Sequence, residues 1–312
     1  MSKTAVVFPG QGSQSIGMLA SLSARFPIIL QLFSSVSDSL GYDLWSLVQM
    51  GPEAKLNQTE FTQVAMLTAD VAVFQVLQQQ GMPMPAMMAG HSLGEYAALV
   101  CSGALSLQNA ATLVSLRGQL MQDAIPLGYG SMAAIVGLSD EEVERLCDEV
   151  SVPESVVTPA NYNAIGQVVI AGHTEAVLKA ILQAEVMGAK LAKLIPVSVP
   201  CHCSLLRKAA DDFENGLAHT RFHVPSVSVI SNVDLSIYQS VEQIRRLLKE
   251  QLYSPVRWVE TIQAMRREGI EYLVECGPGK VLTGLIKRID KSLKTISVSD
   301  EEGMSAMFGG DA

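Results

Sequence analysis

The sequence predicts an α/β protein in which a large domain is interrupted by a small inserted module. Short apolar runs alternate with segments of helical periodicity in the first part of the chain. The pattern changes after Gly128-Tyr129-Gly130, where strands and helices follow in the order βαββαβ, and the earlier alternation resumes near residue 199. We therefore assign residues 1–129 and 199–312 to the large α/β domain and residues 130–198 to the small one.

The first part of the large domain is predicted from apolar runs and helical spacing. Residues 4–8 form an apolar run of the length of a buried strand, and Pro9-Gly10-Gln11-Gly12 is typical of a tight loop. The next predicted elements are a helical segment over 14–40, a strand over 83–88, and helices beginning at 95 and 107. The run Gly90-His91-Ser92-Leu93-Gly94 thus stands between a strand and a helix.

The small module begins with a predicted strand over 132–136. Ser139 followed three residues later by Glu142 forms a capping box, which predicts the start of a helix. The remaining elements are strands over 156–157 and 167–172, a helix over 174–188 and a strand over 192–199. This order is that of a ferredoxin-like module.

The second part of the large domain returns to the α/β pattern. Its predicted elements are strands over 227–231 and 272–275 and helices beginning near 241 and 255. The tail after Ser299, which contains Gly309 and Gly310, is expected to be frayed.

Composition limits the classes of function. The formal net charge of −9 argues against nonspecific nucleic-acid binding, which needs clustered Lys and Arg. The five cysteines lack the number and spacing of a disulfide framework, so we expect a reducing compartment. We also expect a cytoplasmic protein with no membrane partner, because no signal-peptide pattern and no run of about 18 apolar residues occurs.

The pentapeptide from Gly90 to Gly94 has the Gly-x-Ser-x-Gly pattern of a nucleophile elbow. In such an elbow the serine lies in a strained strand-to-helix turn, so its neighbours must be small. The turn lifts the Ser92 hydroxyl above the sheet edge and directs the N–H of Leu93 toward a developing oxyanion. The large domain is therefore expected to be α/β-hydrolase-like. The alternative is that Ser92 only caps a helix.

A nucleophilic serine needs a general base, and five histidines are available. His91 adjoins the serine, and its side chain should point elsewhere. His219 and His223 lie in a polar stretch typical of a surface, while His173 lies in a turn of the small module. His202 lies where the chain leaves that module, at a crossover that can overhang the cleft. The residues alone favour His202 without excluding the others.

Two further patterns each allow two interpretations. Arg117 lies in an otherwise apolar helix, where it either extends to solvent or binds a substrate carboxylate through two charge-assisted hydrogen bonds. The run Cys201-His202-Cys203 contains metal-binding residue types. Adjacent side chains cannot easily converge on one ion, however, and no second Cys/His pair lies at zinc spacing, so no metal is predicted.

Five motifs together resemble one family closely. They are Phe8-Pro9-Gly10-Gln11-Gly12-Ser13-Gln14, Gly90-His91-Ser92-Leu93-Gly94-Glu95-Tyr96, Arg117 at 25 residues after the serine, Val199-Pro200-Cys201-His202, and Glu275-Cys276-Gly277-Pro278-Gly279-Lys280. Their order and spacing, over nearly the whole chain, resemble the malonyl-CoA:acyl-carrier-protein transacylases of bacterial fatty-acid synthesis. One departure is Cys201, where Ser or Phe is expected.

The resemblance implies a function and a set of site residues. It implies transfer of a malonyl group from malonyl-CoA to the phosphopantetheine thiol of an acyl carrier protein, through a malonyl-serine and with no bound cofactor. Ser92 is then the nucleophile, His202 its base, and Arg117 the group that binds the malonyl carboxylate. The remaining implied roles belong to backbone groups, with the N–H groups of Gln11 and Leu93 as the oxyanion hole and the carbonyl of Gln251 orienting the histidine.

Other functions remain open on the sequence. A serine esterase or thioesterase would share the elbow and deliver the acyl group to water. A malonyl transferase for polyketide synthesis or for malonate decarboxylase would keep the chemistry with another carrier. A carrier-binding scaffold without activity would have no need of Ser92, His202 and Arg117 together.

Overall fold

The protein folds around two β-sheets, one parallel and one antiparallel. The structure is a computed structural model that describes residues 3–197 and 199–309. Its strands are β1 (Lys3–Phe8), β2 (Met87–Gly90), β3 (Gly130–Val136), β4 (Val157–Ala164), β5 (Gln167–His173), β6 (Leu191–Leu194), β7 (Ser228–Val229), β8 (Ile270–Cys276) and β9 (Lys294–Val298).

Helices cover both faces of the larger sheet and one face of the smaller one. They are α1 (Ala20–Arg25), α2 (Ile28–Leu40), α3 (Leu44–Met50), α4 (Glu53–Leu56), α5 (Thr59–Gln79), α6 (Gly94–Cys101), α7 (Leu107–Asp123), α8 (Asp140–Val150), α9 (Thr174–Val186), α10 (Arg207–His219), α11 (Val241–Glu250), α12 (Trp258–Arg267), α13 (Val281–Ile289) and α14 (Glu301–Phe308). A 3₁₀ turn spans Ser204–Leu206.

The larger sheet has the strand order β7-β2-β1-β8-β9, with all neighbouring strands parallel. Parallel strands end at the same edge of a sheet, and in α/β proteins ligands bind outside that edge. The segments that begin with Pro9, His91 and Gly277 leave the sheet there. The sheet therefore gathers three of the sequence motifs at one edge.

Helix α5 runs through the core of the large domain. Its length and apolar composition would suffice to cross a membrane, yet 83% of its most apolar window is buried inside the protein. That burial is typical of a core helix in a globular fold.

The smaller sheet has the strand order β4-β5-β3-β6, and all its neighbours are antiparallel. Helices α8 and α9 pack on one face of it through an apolar cluster that includes Leu146, Ile170 and Val177. Strand β4 also contacts the large domain, because the N–H of Tyr162 donates to the carbonyl of Val256 at 3.0 Å. The smaller sheet is therefore hydrogen-bonded to the large domain through β4.

Several predicted elements differ from those observed. The predicted helix over 14–40 is two helices, because Pro27 disfavours helical geometry at Phe26, which is extended at φ −120° and ψ 93°. The second strand begins at Met87 rather than at residue 83, and the strand predicted over 156–157 continues to Ala164. The strand predicted over 192–199 ends at Leu194, and residue 198 lies outside the described residues.

The prediction of a frayed tail was wrong for residues 300–308. Helix α14 forms there, and the carboxylate of Asp300 caps it by accepting from the N–H of Gly303 at 2.8 Å. Gly303 and Met304 of this helix are buried. Gly310, which was part of the same prediction, lies outside the described residues.

Candidate active site

Ser92 lies in a sharp bend between β2 and α6, as the Gly-x-Ser-x-Gly pattern predicts. Its φ is 51°, a left-handed conformation that is strained for a residue other than glycine. A Cβ on Gly90 would overlap the backbone of Gly94, and a Cβ on Gly94 would overlap the carbonyl oxygen of Phe8. Both flanking positions therefore need glycine because there is no space for a side chain.

Asn232 holds this bend in place. The N–H of Ser92 donates to Oδ1 of Asn232 at 2.7 Å, and Nδ2 of Asn232 donates to the carbonyl of Gly90 at 2.7 Å. The asparagine is fully buried and was not predicted as a site residue. The feature that could have indicated it is its position shortly after a predicted strand, at the edge where ligands bind in parallel sheets.

His202 lies against the serine. Its Nε2 is 2.7 Å from Oγ of Ser92, and its Nδ1 is 2.8 Å from the carbonyl oxygen of Gln251. A carbonyl can only accept, so the proton belongs on Nδ1, and Nε2 is left free to take the serine proton. Burial, with the nearby Arg117 charge adding to it, lowers the pKa of His202 to about 3. The imidazole is therefore a neutral base at physiological pH.

The other histidines bond elsewhere. Nε2 of His91 lies 2.8 Å from Oδ1 of Asn163, so this ring points away from Ser92, as expected. Nδ1 of His173 accepts from a backbone N–H of the small module, and Nδ1 of His219 lies beside a carbonyl of its own helix. The imidazole of His223 has no hydrogen bond to another described residue. Of the five, the structure brings only His202 to the serine.

Arg117 is buried beside the same hydroxyl, with 1% of its surface exposed. Its Nη1 donates to Oε1 of Gln63 at 2.8 Å, and its Nη2 donates to Oε1 of Gln251 at 3.0 Å and to Oγ of Ser92 at 3.3 Å. The interpretation that this side chain extends to solvent is therefore wrong. Among the described residues no carboxylate lies within ion-pair distance of it. A buried cation with neutral partners is poised to receive an anion.

These groups line one cavity of about 230 Å³ between the two sheets. Gln11 and Leu93 line it as well, and within the described part of the chain neither backbone N–H donates to another protein group. The small sheet and its flanking segments supply a wall that includes the apolar Met132, Val169 and Ile195 and, from β4, the polar Asn161 and Asn163. The cavity thus combines a serine, its base, a buried cation and two free N–H donors with a largely apolar wall.

Comparison with known proteins places this arrangement in a family. A family model described as an acyl transferase domain matches residues 5–305. The malonyl CoA-acyl carrier protein transacylase of Escherichia coli K12 is 50% identical over 306 residues, which cover 98% of this chain and 99% of that protein. The chain belongs to the family of malonyl CoA-acyl carrier protein transacylases.

Solved structures of transacylases have the same fold. That of the Coxiella burnetii transacylase is 49% identical, with a TM-score of 0.97, and the match covers 99% of this chain and 97% of that one. A malonyl-transacylase in complex with the holo form of a type II polyketide synthase acyl carrier protein is also 49% identical, with a TM-score of 0.97. This match covers 99% of this chain and 100% of that one.

Two further polar side chains of the site in this transacylase-family chain were not predicted from the sequence. Gln63, which binds Arg117, lies in the buried part of helix α5 and is 1% exposed. Glu95, inside the quoted elbow motif, is fully buried and accepts from Nε2 of Gln251. A polar residue in an apolar helix was the available signal, but sequence alone does not say which partner it meets.

Proposed function

We propose that this protein transfers a malonyl group from malonyl-CoA to the phosphopantetheine thiol of an acyl carrier protein, supplying fatty-acid synthesis. One observation carries the proposal: a buried, unpaired Arg117 lies 3.3 Å from the hydroxyl of a serine that is already bonded to a neutral histidine. An acyl group bound to that serine oxygen through one end and ending in a carboxylate at the other would have its carboxylate within reach of the guanidinium. The transacylase names and the carrier-protein complex among the relatives support the substrate and the acceptor.

The first half-reaction forms a malonyl-serine. His202 takes the Ser92 proton on Nε2 while the oxygen attacks the thioester carbonyl, and the coenzyme A sulfur leaves with that proton. The Gln251 carbonyl holds the imidazole through Nδ1–H. General-base assistance of this kind contributes about 10²–10⁴-fold to the rate.

The second half-reaction reverses these steps with another thiol. The phosphopantetheine thiol gives its proton to His202 and attacks the ester carbonyl, and Ser92 leaves as a free hydroxyl. The N–H groups of Gln11 and Leu93 would stabilise the oxyanion in both halves, and each such donor contributes about 3 kcal/mol. No resident cofactor takes part in this scheme.

Replacing Arg117 with alanine is expected to narrow the malonyl-over-acetyl preference by about 10–150-fold. The guanidinium offers a malonyl carboxylate charge-assisted hydrogen bonds worth about 1.5–3 kcal/mol, whereas an acetyl group leaves it unpaired. Parallel acylation kinetics with malonyl-CoA and acetyl-CoA measure the ratio. An Arg117→Ala enzyme with an unchanged ratio would show that the carboxylate binds elsewhere.

The test of the proposed function is intact-protein mass spectrometry of the wild-type protein mixed with malonyl-CoA. We expect one malonyl adduct, mapped to the peptide that contains Ser92, which disappears when holo acyl carrier protein is added and reappears as malonyl carrier protein. Free malonate without carrier transfer would instead identify a hydrolase. An unmodified protein with no turnover would favour the alternative of a carrier-binding scaffold without activity.

The carrier protein that accepts the malonyl group can belong to either of two related pathways. Similarity to a transacylase bound to a polyketide synthase carrier protein favours, as a second candidate, malonyl transfer in polyketide synthesis. Side-by-side assays with a fatty-acid and a polyketide carrier protein distinguish them by kcat/KM.

The architecture proposed with this function keeps the sequence-based division of the chain. The large domain, 1–129 and 199–312, would be α/β-hydrolase-like, and the inserted module, 130–198, would be ferredoxin-like. The βαββαβ order with sheet order β4-β5-β3-β6 supports the second assignment. We also propose that the enzyme works in the cytoplasm, where malonyl-CoA and free thiols coexist.

A further inference from the structure

Glu95 is a buried carboxylate for which the reaction scheme has no use. It lies in the first turn of α6 and has no exposed surface. Its Oε1 accepts from the hydroxyl of Tyr238, and its Oε2 accepts from Nε2 of Gln251 and from the N–H of Asn232, the last at 3.3 Å. A fully buried carboxylate is costly unless it is hydrogen-bonded or balanced by a positive charge.

The partners of Glu95 are the residues that hold the active site. Asn232 holds the bend on both sides of Ser92. Gln251 accepts from His202 through its backbone carbonyl and from Arg117 through its Oε1, while its Nε2 donates to the carbonyl of Ser92. The Glu95 carboxylate is therefore linked through one intervening side chain, that of Asn232 or Gln251, to the residues that act as nucleophile, base and buried cation.

The charged groups on the two sides of Gln251 have opposite signs. Arg117 has only neutral partners among the described residues, and Glu95 is a buried acid bonded to the same glutamine. We propose that Glu95 is a positioning residue and the internal counter-charge of Arg117, ionised when the cavity is empty and protonated when a substrate carboxylate lies on Arg117. This inference rests on the proposed function, because it needs a carboxylate-bearing acyl group.

The electrostatic environment supports this exchange of counter-charge. Burial raises the pKa of Glu95 to about 7, against the lowering effects of its hydrogen bonds and of the Arg117 charge. The Arg117 charge is the smallest of these lowering effects; a bound carboxylate offsets it and adds a negative charge of its own, and both changes raise the pKa of Glu95 further. Glu95 then takes up a proton from solvent as the substrate binds.

The tyrosines and the histidine near Glu95 do not titrate in the same range. Burial raises the pKa values of Tyr96 and Tyr238 above their ordinary value, so both stay neutral. His202, reached through Gln251, is neutral because burial lowers its pKa to about 3. Burial and the Glu275 charge also raise the pKa of Asp70 on the neighbouring helix α5. Proton uptake between pH 6.5 and 8.5 is therefore assigned to Glu95 by its loss in a Glu95→Gln protein.

The sign of the pH effect follows from linkage. Binding that raises the pKa of an acid is tighter at pH values where the acid is already protonated, and it weakens as pH rises above the free-state pKa. The malonyl-over-acetyl affinity ratio is expected to fall as pH rises above 7.5, by at most about tenfold per pH unit. An ordinary surface glutamate would leave this ratio flat, because it is ionised throughout.

The experiment is titration calorimetry of the non-reacting Ser92→Ala protein in two buffers of different ionisation enthalpy. Malonyl-CoA is expected to bind with roughly half to one proton more taken up than acetyl-CoA at pH 7.5. The difference between the two ligands cancels protons from the coenzyme A phosphates, which both carry. Equal proton counts with tighter malonyl binding would overturn the inference and leave the proposed function intact. Equal affinity for the two ligands would overturn the carboxylate-binding role of Arg117 as well.

A second variant separates a charge effect from a merely structural one. Ser92→Ala with Glu95→Gln is expected to lose the extra proton and to show a pH-independent malonyl-over-acetyl ratio. Ser92→Ala with Glu185→Gln, a change at an exposed position on α9, should keep both. Persistence of the extra proton in the folded Glu95→Gln protein would assign it to another group. If the Glu95→Gln protein does not fold, the difference in proton uptake between malonyl-CoA and acetyl-CoA on the Ser92→Ala protein decides by itself.

Discussion

Replacing Ser92 with alanine is expected to lower malonyl transfer to holo acyl carrier protein by at least about 10⁴-fold. The change removes the only atom to which the acyl group can be attached in the proposed scheme, while His202, Arg117 and the cavity wall stay. Transfer is measured by following malonyl carrier protein in a discontinuous chromatographic assay at saturating malonyl-CoA. Malonyl-CoA itself should still bind, because the guanidinium is untouched.

A matched control is available in the same cavity. Ser13 also lines it and has no hydrogen bond to His202 among the described residues. Ser13→Ala is expected to change the rate by no more than a few-fold. If Ser92→Ala retained more than about one part in a hundred of the wild-type rate, the covalent scheme would be wrong.

Replacing His202 with alanine is expected to lower the rate of Ser92 acylation by about 10²–10⁴-fold. The loss arises because no other described histidine reaches the serine, so the hydroxyl must lose its proton to water. Rapid-quench measurement of the malonyl adduct gives this rate directly. The exposed His219→Ala is the control and should be unaffected.

The combination of the two changes tests whether the pair acts as a unit. Ser92→Ala with His202→Ala should be no slower than Ser92→Ala alone, because a base without its nucleophile has nothing to activate. A further large drop in the double variant would mean that His202 acts in another step. The pH profile adds a second readout: because burial lowers the pKa of His202 to about 3, the wild-type base is not lost to protonation at pH 5.

Much of the elbow was predictable because it is governed by local space. The strand predicted over residues 4–8, which is β1, and the glycines at 90 and 94 follow from apolar runs and from a bend that admits no side chains. Those constraints act between residues close in sequence or on adjacent strands, and the pattern records them directly. The placement of Ser92 between β2 and α6 was therefore within reach of the sequence.

The partners of the buried charged groups were not predictable. Arg117 in an apolar helix has the same sequence pattern whether it reaches solvent or a cavity, and the outcome depends on Gln63 and Gln251. The multiple contacts of Glu95 and Asn232 join segments that only the folded chain brings together. The helix α14 was missed for a related reason, since its short sequence becomes helical where Asp300 caps it and Met304 is buried.

The site residues lie far apart along the chain, and this separation limits how early during translation the active site can form. His202 is 110 positions after Ser92, and Gln251, which holds both, is 159 positions after it. Contacts this distant in sequence form late, because the intervening loop must close first. Ser92 is therefore synthesised well before His202 and Gln251 are available to it. Until those two segments have been added and have folded onto the elbow, the hydroxyl has no base to activate it, so a chain that stops before them is expected to have no acyltransferase activity.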